Sequence, residues 1–424
     1  MHGDEMSEWN QMTLGSIATK DGYGLVDGPF GSNLPASCYT EEGIPVIRGS
    51  NLSLGISRFR ADEFVFVSQE TAKRLARSLC RPFDIVFTKK GTLGQTGLIP
   101  NSGPYSLYLL SSNQMKLTLD TRLADPLFVY YSVSSPESVR KIIQDSEATG
   151  VPKTNIAYLR DFPIMLPPLP IQHAIAHILG SLDDKIDVNR RMNETLEAMA
   201  RALFKDWFVE FGPVRAKAEG RQPPGLSAEI AALFPDALDA EGKPVGWEIK
   251  RVDDVLELVY GKALRAVNRV PGEIPVYGSG GIIEYHNEFL VNGPSIIVGR
   301  KGTVGSLYWE DRPFFPIDTV FYVKPKTPLT FCFYLLQSLG LEGMNTDAAV
   351  PGLNRSNVYR LSVTCASDDI LLNFDNIIQP LRKQIFFNAR ESRTLAALRD
   401  LLLPKLLSGE LRVRVAEEIV EGAR

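Results

Sequence analysis

Cysteine is scarce: four in 424 residues (Cys38, Cys80, Cys332, Cys365), with no C-x-x-C spacing. That excludes a disulfide framework and a zinc ribbon, and it suits a reducing compartment. Histidine is equally scarce, at four. Two of these lie in "HAIAH" (173–177), i and i+4 on one helix face, but the glutamate that follows the first histidine of a zincin is missing, so no metal site is read there. An excess of positive charge is lacking as well. Net charge is −4; residues 1–168 hold 16 Lys+Arg against 17 Asp+Glu, and residues 247–366 hold 12 against 12. A nucleic-acid partner would therefore need cations gathered on one face or loaned by other subunits.

Phosphate-binding fingerprints are missing too. "GPFGSN" (28–33) and "GSGG" (278–281) are glycine-rich but lack both G-x-x-x-x-G-K-[ST] and G-x-G-x-x-G. The one long uncharged run, "FPIMLPPLPIQHAIAHILGSL" (162–182), carries four prolines, a glutamine and two histidines, which a lipid-embedded helix does not tolerate. The N-terminal "MHGDEMSEWN" is polar and acidic, unlike a signal peptide. The protein is read as cytoplasmic, without a membrane partner.

What is present is a duplication. "DIVFTKKGTLGQTGL" (84–98) and "SIIVGRKGTVGSLYW" (295–309) each run an apolar strand into two cations, Gly-Thr, an apolar residue and Gly. "WNQMTLGSI" (9–17) matches "WEIKRVDDV" (247–255), "GIPVIRGSN" (43–51) matches "EIPVYGSGG" (273–281), and "TGVPKTN" (149–155) matches "AAVPGLN" (348–354). From there the copies align without a gap at an offset of 199: Ile171 with Ile370, Leu182 with Leu381, Asn189 with Asn388, Leu203 with Leu402. Repeated segments of this size indicate one architecture built twice. Residues 212–246, rich in Pro, Gly, Ala and charge, read as a linker with one short helix.

Stepping four-then-three from Ile171 gives Ile, Ile, Ile, Leu, Lys, Asn, Met, Leu, Met, Leu, Asp; shifted by 199 it gives Ile, Phe, Ile, Leu, Gln, Asn, Glu, Leu, Leu, Leu, Lys. This is the stripe of a long helix that needs a partner, and the second copy is the obvious one. Both stripes break at Lys185/Gln384 and Asn189/Asn388. Polar residues in a seam fix register. If the helices pair antiparallel, Asn189 faces Asn388 near the midpoint, flanked by Lys185 and Gln384. Pro380, where the first copy has Ser181, predicts a kink or a broken turn.

The segments before the helices alternate short β-rich runs with turn residues, predicting α+β modules with twisted, mostly antiparallel sheets. In the repeated loops, glycines expose backbone N–H groups beside Lys89, Lys90, Arg300 and Lys301. Such a loop either meets a phosphate or is a plain hairpin turn with solvated lysines. The predicted boundaries are a first module at 1–168, a long helix at 169–211, the linker at 212–246, a second module at 247–368 and a second long helix at 369–414.

"LPPLPIQHAIAHILGSLDDKIDVNRRMNETLEAMARALFKDWFVEF" (166–211) closely resembles the central conserved region of type I restriction–modification specificity subunits, and "LRDLLLPKLLSGEL" (398–411) is similar to their C-terminal one. "GPFGSNL", "IPVIRGSNL" and "DIVFTKKGTLG" look like motifs of a first target-recognition domain, and "IPVYGSGGI" like the second. The resemblance implies a non-catalytic subunit with two recognition domains, each reading half of a bipartite DNA target, spaced by the paired helices. It implies double-stranded DNA, two modification subunits and restriction/translocase subunits as partners. S-adenosylmethionine, ATP and magnesium are then expected on those partners, with no cofactor, metal or catalytic residue in this chain. Arg48, Asn51, Lys89, Lys90, Thr92, Ser279, Arg300, Lys301 and Thr303 are the expected DNA contacts. Two rival readings are a protein-binding scaffold without DNA specificity and a methyltransferase fused to its own recognition domain. The second would need a cofactor-binding α/β domain, and no segment has its length or pattern.

Overall fold

The computed structural model describes residues 9–54, 58–61, 63–147, 153–344 and 352–422. Residues 149–152 and 348–351, part of the last matched motif pair, lie outside these. The chain divides into two compact units: Met1–Val188 with Glu391–Arg424, and Asn189–Arg390. Unit 2 is one continuous stretch of the sequence, whereas unit 1 joins the two ends of the chain. Two 40-residue helices, Leu169–Phe208 and Asp368–Leu407, each contribute to both units.

In unit 1 a four-stranded antiparallel sheet runs in the order Leu25–Asp27, Gln114–Leu117, Ile85–Thr88, Thr96–Leu98. Beside it in the chain is a five-stranded sheet: Tyr39–Thr40, Val65–Val67, Ile44–Ile47, Tyr108–Leu110, Leu79–Cys80. Its one parallel contact joins Ile44–Ile47 to Tyr108–Leu110. A two-stranded ribbon pairs Asn10–Thr13 with Pro163–Leu166. Strands Ile44–Ile47 and Ile85–Thr88 are buried along their whole length, which explains their unbroken apolar text. Helix Pro126–Ser134 starts where the Asp125 carboxylate accepts from Phe128 N at 2.8 Å, and Pro136 opens the following helix, Pro136–Glu147. Their core, with Leu14, Ile17, Phe128 and Phe162, closes over Leu179 and Leu182 of the first long helix and Leu395, Leu402 and Leu406 of the second.

Unit 2 repeats this plan. Its four-stranded antiparallel sheet runs Leu256–Tyr260, Val320–Pro325, Ser295–Gly299, Leu307–Glu310. A three-stranded sheet sets Ile274–Gly278 between antiparallel Gly281–His286 and parallel Phe315–Pro316, and a ribbon pairs Glu248–Arg251 with Ser362–Cys365. Among the described residues these two parallel pairings are the only ones, so no doubly wound cofactor-binding sheet is present among them. The core is aromatic. Phe208 packs edge-on to Phe331 at 5.0 Å and to Phe374 at 5.1 Å.

The expected linker is better ordered than its composition suggests. It forms two helices, Gly212–Ala218 and Ala228–Leu233, and sends Phe234 edge-on against Trp207 at 5.0 Å, inside the unit 2 core. Residues after Leu407 form a separate helix, Val413–Gly422, that returns Ala416 and Val420 to the unit 1 core. Helical structure runs on through Pro380, so the broken turn expected there does not form.

The seam itself departs from strict four-three stepping. Up to Asn189 the expected apolar positions Ile175, Ile178 and Leu182 of the first helix are buried and Ile171 is half-buried, but Met192, Met199 and Asp206 are exposed, while Ala200, Phe204 and Trp207 are buried instead. A straight helix drifts by about 20° per heptad against a 3.5-residue repeat. Over this length the buried face therefore moves by one position.

Candidate nucleic-acid interface

In both units the strand of the "IPV" motif and the strand before the KGT loop deliver two loops to one place. In unit 1 the chain leaves Ile44–Ile47 into Arg48-Gly49-Ser50-Asn51. Asn51 is fully buried; its Oδ1 accepts from Arg48 N at 2.9 Å and its Nδ2 donates to Arg60 O at 3.0 Å. Arg48 Nη2 donates to Glu63 O at 2.9 Å. This loop rests on the neighbouring hairpin, where Ser53 and Thr96 exchange backbone hydrogen bonds of 3.2 Å and Gln95 Nε2 donates to Leu52 O at 3.4 Å.

The KGT loop is braced from beneath. Lys89 N and Lys90 N both donate to Asn113 O, at 2.7 and 3.4 Å, and Thr154 N donates to Lys89 O at 3.1 Å. Gly91 and Gly94 have φ of +110° and +82°, a region costly for other residues. At Gly94 a Cβ would also lie 2.8 Å from Val139. Lys89 Nζ is paired with Asp27 at 2.7 Å, whereas Lys90 and Thr92 are exposed. Next to Asp27, Gly28 passes so close to Ser111 O that a Cβ would collide with it; two residues on, Phe30 is 81% exposed.

Unit 2 uses the same bracing. Arg300 N and Lys301 N donate to Thr319 O at 2.9 and 3.1 Å, and Leu353 N donates to Arg300 O at 2.8 Å. The strand-end loop Ser279–Gly281 lies against the KGT loop: Ser279 O accepts from Ser306 Oγ at 2.6 Å and Tyr308 Oη at 3.3 Å. A Cβ on Gly302 would sit 3.2 Å from Ser279 Oγ. Lys301 and Thr303 are exposed. Arg300 is not free: its Nη2 donates to Asp318 O at 2.8 Å and its guanidinium lies over the Tyr260 ring at 5.2 Å. Arg355 stacks on the same ring at 5.0 Å. Sequence reading missed Arg355, Tyr260 and Phe30, since neither a lone arginine nor a lone aromatic carries a local signal. Behind this face, Tyr277 Oη donates to Glu310 at 2.9 Å, and Arg312 donates to the same carboxylate at 3.0 Å from Nε and from Nη2. Burial pushes the Glu310 carboxyl up, but these donors outweigh it and hold it below its ordinary range.

The expected DNA residues thus divide. Lys90, Thr92, Ser279, Lys301 and Thr303 sit on the paired loops; Arg48, Lys89 and Arg300 do too, but with their charged groups engaged. Asn51 lies buried beneath its loop, where its amide bonds backbone on both sides.

Of the seam residues, three meet in unit 2. Asn189 Nδ2 donates to Asn388 O at 3.4 Å, Asn388 Nδ2 to Asn193 Oδ1 at 2.8 Å, and Gln384 Nε2 to Asn388 Oδ1 at 2.7 Å. Asn193 Nδ2 reaches Ile385 O at 3.3 Å, so the helices run antiparallel. The fourth, Lys185, belongs to unit 1, where it pairs with Glu391 at 3.3 Å on the exposed rim. No described helix is long and apolar enough to cross a membrane.

Residues 6–198 and 244–361 match the family model described as the type I restriction modification DNA specificity domain. The chain is 26% identical over 404 residues to the type I restriction enzyme HindI specificity subunit of Haemophilus influenzae, covering 76% of this chain and 87% of that one. It is 24% identical over 387 residues to the MjaIX specificity subunit of Methanocaldococcus jannaschii, covering 83% and 84%. The crystal structure of the S subunit from M. genitalium shares the fold, with a TM-score of 0.60 at 18% identity over 94% of this chain and 96% of that one. With a family model spanning most of both modules and the first long helix, the chain belongs to the type I restriction–modification DNA specificity family.

Proposed function

We propose that each unit reads one half of a bipartite DNA target through its paired-loop face, and that the antiparallel helices set the spacing between the halves. The observation that carries this reading is the twice-built KGT loop: two different sequences, "KKGTLG" and "RKGTVG", are held by the same backbone bracing, each beside a strand-end loop, "IRGSN" or "YGSGG". Lys90, Thr92, Lys301 and Thr303 then meet DNA, with Phe30 and the Tyr260–Arg355 stack as further contacts and Arg48 reaching it only on leaving Glu63 O. Asn51, Lys89 and Arg300 hold the loops in shape, and Ser279 joins one loop to the other. Phosphate contacts supply affinity and side chains at base edges supply choice. Near-neutral modules bind weakly alone, which suits a subunit that works within a larger assembly.

Modification subunits, two of them, dock along the helices, where unit 2 leaves Met192, Met199 and Phe387 exposed, and they bring S-adenosylmethionine. Restriction/translocase subunits bring ATP and magnesium. The test is to map methylated adenines in a host carrying the system, before and after replacing residues 1–168 with another member's module. One half of the recognised sequence is expected to change; a change in both halves would overturn the independent reading of the units.

A further inference from the structure

Much of the apolar seam does not distinguish one long helix from the other. Leu182/Leu381, Asn189/Asn388, Leu196/Leu395 and Leu203/Leu402 are the same residue at equivalent positions, and the apolar differences, such as Ile175/Phe374 and Phe204/Leu403, exchange one hydrophobic side chain for another, so the seam disfavours either helix against a second copy of itself only through packing. Two largely desolvated ion pairs add a charge-based distinction. In unit 1, Asp183 of the first helix takes Arg399 of the second at 2.6 Å, and Tyr131 Oη donates to the other carboxylate oxygen at 2.6 Å. In unit 2, Glu197 of the first helix takes Arg382 of the second at 2.8 Å, with Tyr334 Oη donating to Glu197 at 3.3 Å. Side-chain exposures are 11% for Asp183, 6% for Arg399, 19% for Glu197 and 11% for Arg382.

Asp183 and Arg382 occupy equivalent positions in the repeat, at the offset of 199, and carry opposite charges. The first helix thus holds both acids and the second both bases. Transposing the Glu197–Arg382 geometry onto two copies of the first helix puts Glu197 of one against Asp183 of the other, twice. Transposing the Asp183–Arg399 geometry onto two copies of the second helix puts Arg399 against Arg382, twice. Ala200 and Ala396, the counterparts of Arg399 and Glu197, carry no charge, and the partners that travel on the same helix, Arg201 beside Glu197 at 3.5 Å and Asp400 beside Arg399 at 2.7 Å, are exposed and screened by solvent. Charge pairs beside an apolar seam are the usual means of setting helix partner choice, and like charges forced together without partners are strongly disfavoured when buried.

We infer that Asp183, Glu197, Arg382 and Arg399 form a partner-selection code that pairs the first helix with the second and rejects a second copy of the same helix, keeping the chain a self-closed monomer. The inference rests on the helix contacts alone and does not depend on how the modules read DNA.

The full chain tests it. Glu197→Arg with Arg382→Glu keeps one intrachain pair in reversed polarity, but now makes both like-helix pairings attractive. Position 197 turns basic opposite Asp183 of a second copy, and position 382 turns acidic opposite its Arg399. The chain between the two helices, residues 209–367, gives the intrachain partner an effective concentration on the order of millimolar while it is unfolded, so refolding from denaturant is run at protein concentrations approaching that value. By light scattering the parent should remain at 47.0 kDa. The double variant should add a species of twice that mass, its share rising with concentration. Reversing the other pair as well, with Asp183→Arg and Arg399→Asp, restores the segregation of acids and bases and should return the chain to monomer. Arg382 also lies over Trp309 at 4.6 Å and Phe333 at 5.0 Å, a setting hostile to glutamate. Glu197→Gln with Arg382→Gln therefore serves as the milder variant, removing the clash without adding attraction, and should form an intermediate share of dimer. Monomer from both double variants at every concentration overturns the proposal, as does a dimer share in the fourfold variant equal to that of the reversed pair.

Discussion

Asn189 of the first long helix donates from Nδ2 to the backbone carbonyl of Asn388 on the second, residues at the same position of the two repeats, and both are nearly inaccessible at 1% and 4% exposure. Asn388 carries the rest of the network, giving to Asn193 and receiving from Gln384. Shifting either helix by one turn would set these amides against apolar neighbours, at a cost of about 1–3 kcal/mol for each buried group left unsatisfied.

Replacing both residues at once, Asn189→Leu with Asn388→Leu, should therefore leave the melting temperature unchanged or raise it, since a polar residue in an apolar seam costs stability and fixes register. The expected loss is in spacing. Methylation assays on targets whose central spacer is lengthened or shortened by one base pair should show weaker discrimination than the parent. A clear drop in melting temperature with spacer discrimination intact would mean that the asparagines serve stability alone.

On the DNA face, Lys90→Ala and Lys301→Ala should each weaken binding on cognate and non-cognate duplexes alike and lower the salt slope by about one unit. Neither should alter the melting curve, because both side chains are exposed. Arg300→Ala should behave differently. It removes a guanidinium stacked on Tyr260 and bonded to Asp318 O, so it should lower the stability of unit 2 by about 1 kcal/mol, the scale of a partly desolvated cation–π contact. Salt-dependent binding together with thermal melts separates the two classes.

These distinctions mark where sequence reading stops. The helices were legible because periodicity is local: an expected span from 169 compares with the observed Leu169–Phe208, and the repeat offset of 199 places Asp368–Leu407. The β-rich modules were legible as composition and turns, but not the sheet order, which depends on strands far apart in sequence. Side-chain roles were least legible. Asn51 reads as a polar loop residue until the strand-end turn closes over it. Arg300 and Lys301 are neighbours in one motif, yet one stacks on Tyr260 while the other meets solvent. Asp183 and Arg382 look like ordinary surface charges until the helices pair.

Glu310 gives a pH-dependent expectation. Burial raises its carboxyl, while donation from Arg312 and Tyr277 lowers it further, so the folded value lies below the ordinary glutamate pKa of about 4.3. A depressed carboxylate stabilises the fold above its unfolded pKa and loses that contribution as pH falls through the folded value. Glu310→Gln should therefore destabilise unit 2 at pH 7 by about 1.5–3 kcal/mol, the range for hydrogen bonds to charged groups. The gap between parent and variant should narrow as the pH drops below about 4.3. The neighbouring Asp311 carboxyl is pushed upward by burial and, to a smaller extent, by the charge of Glu310, so the comparison is made with Asp311→Asn in both proteins to remove its titration. Urea unfolding at several pH values measures the gap; a gap independent of pH would show that the glutamate is held by packing alone.

The stretch between the modules gives the last expectation. A flexible linker would tolerate substitution at any apolar position, because nothing in it would be packed. Phe234 is 2% exposed and meets Trp207 edge-on at 5.0 Å, in the same core as Phe208, Phe331 and Phe374. Truncating a buried phenylalanine costs about 3–5 kcal/mol through lost transfer energy and the cavity left behind. Phe234→Ala should therefore destabilise unit 2 by that amount, close to what Phe374→Ala costs on the second long helix. Leu233→Ala, one residue earlier and 37% exposed, should cost less than about 1 kcal/mol. Denaturant melts of the three variants compare these costs, and limited proteolysis supplies a second readout: the parent should resist cleavage across 212–238, and the Phe234 variant should be cut there. Equal, small effects at Phe234 and Leu233 would return the segment to the loose connector that its composition alone suggests.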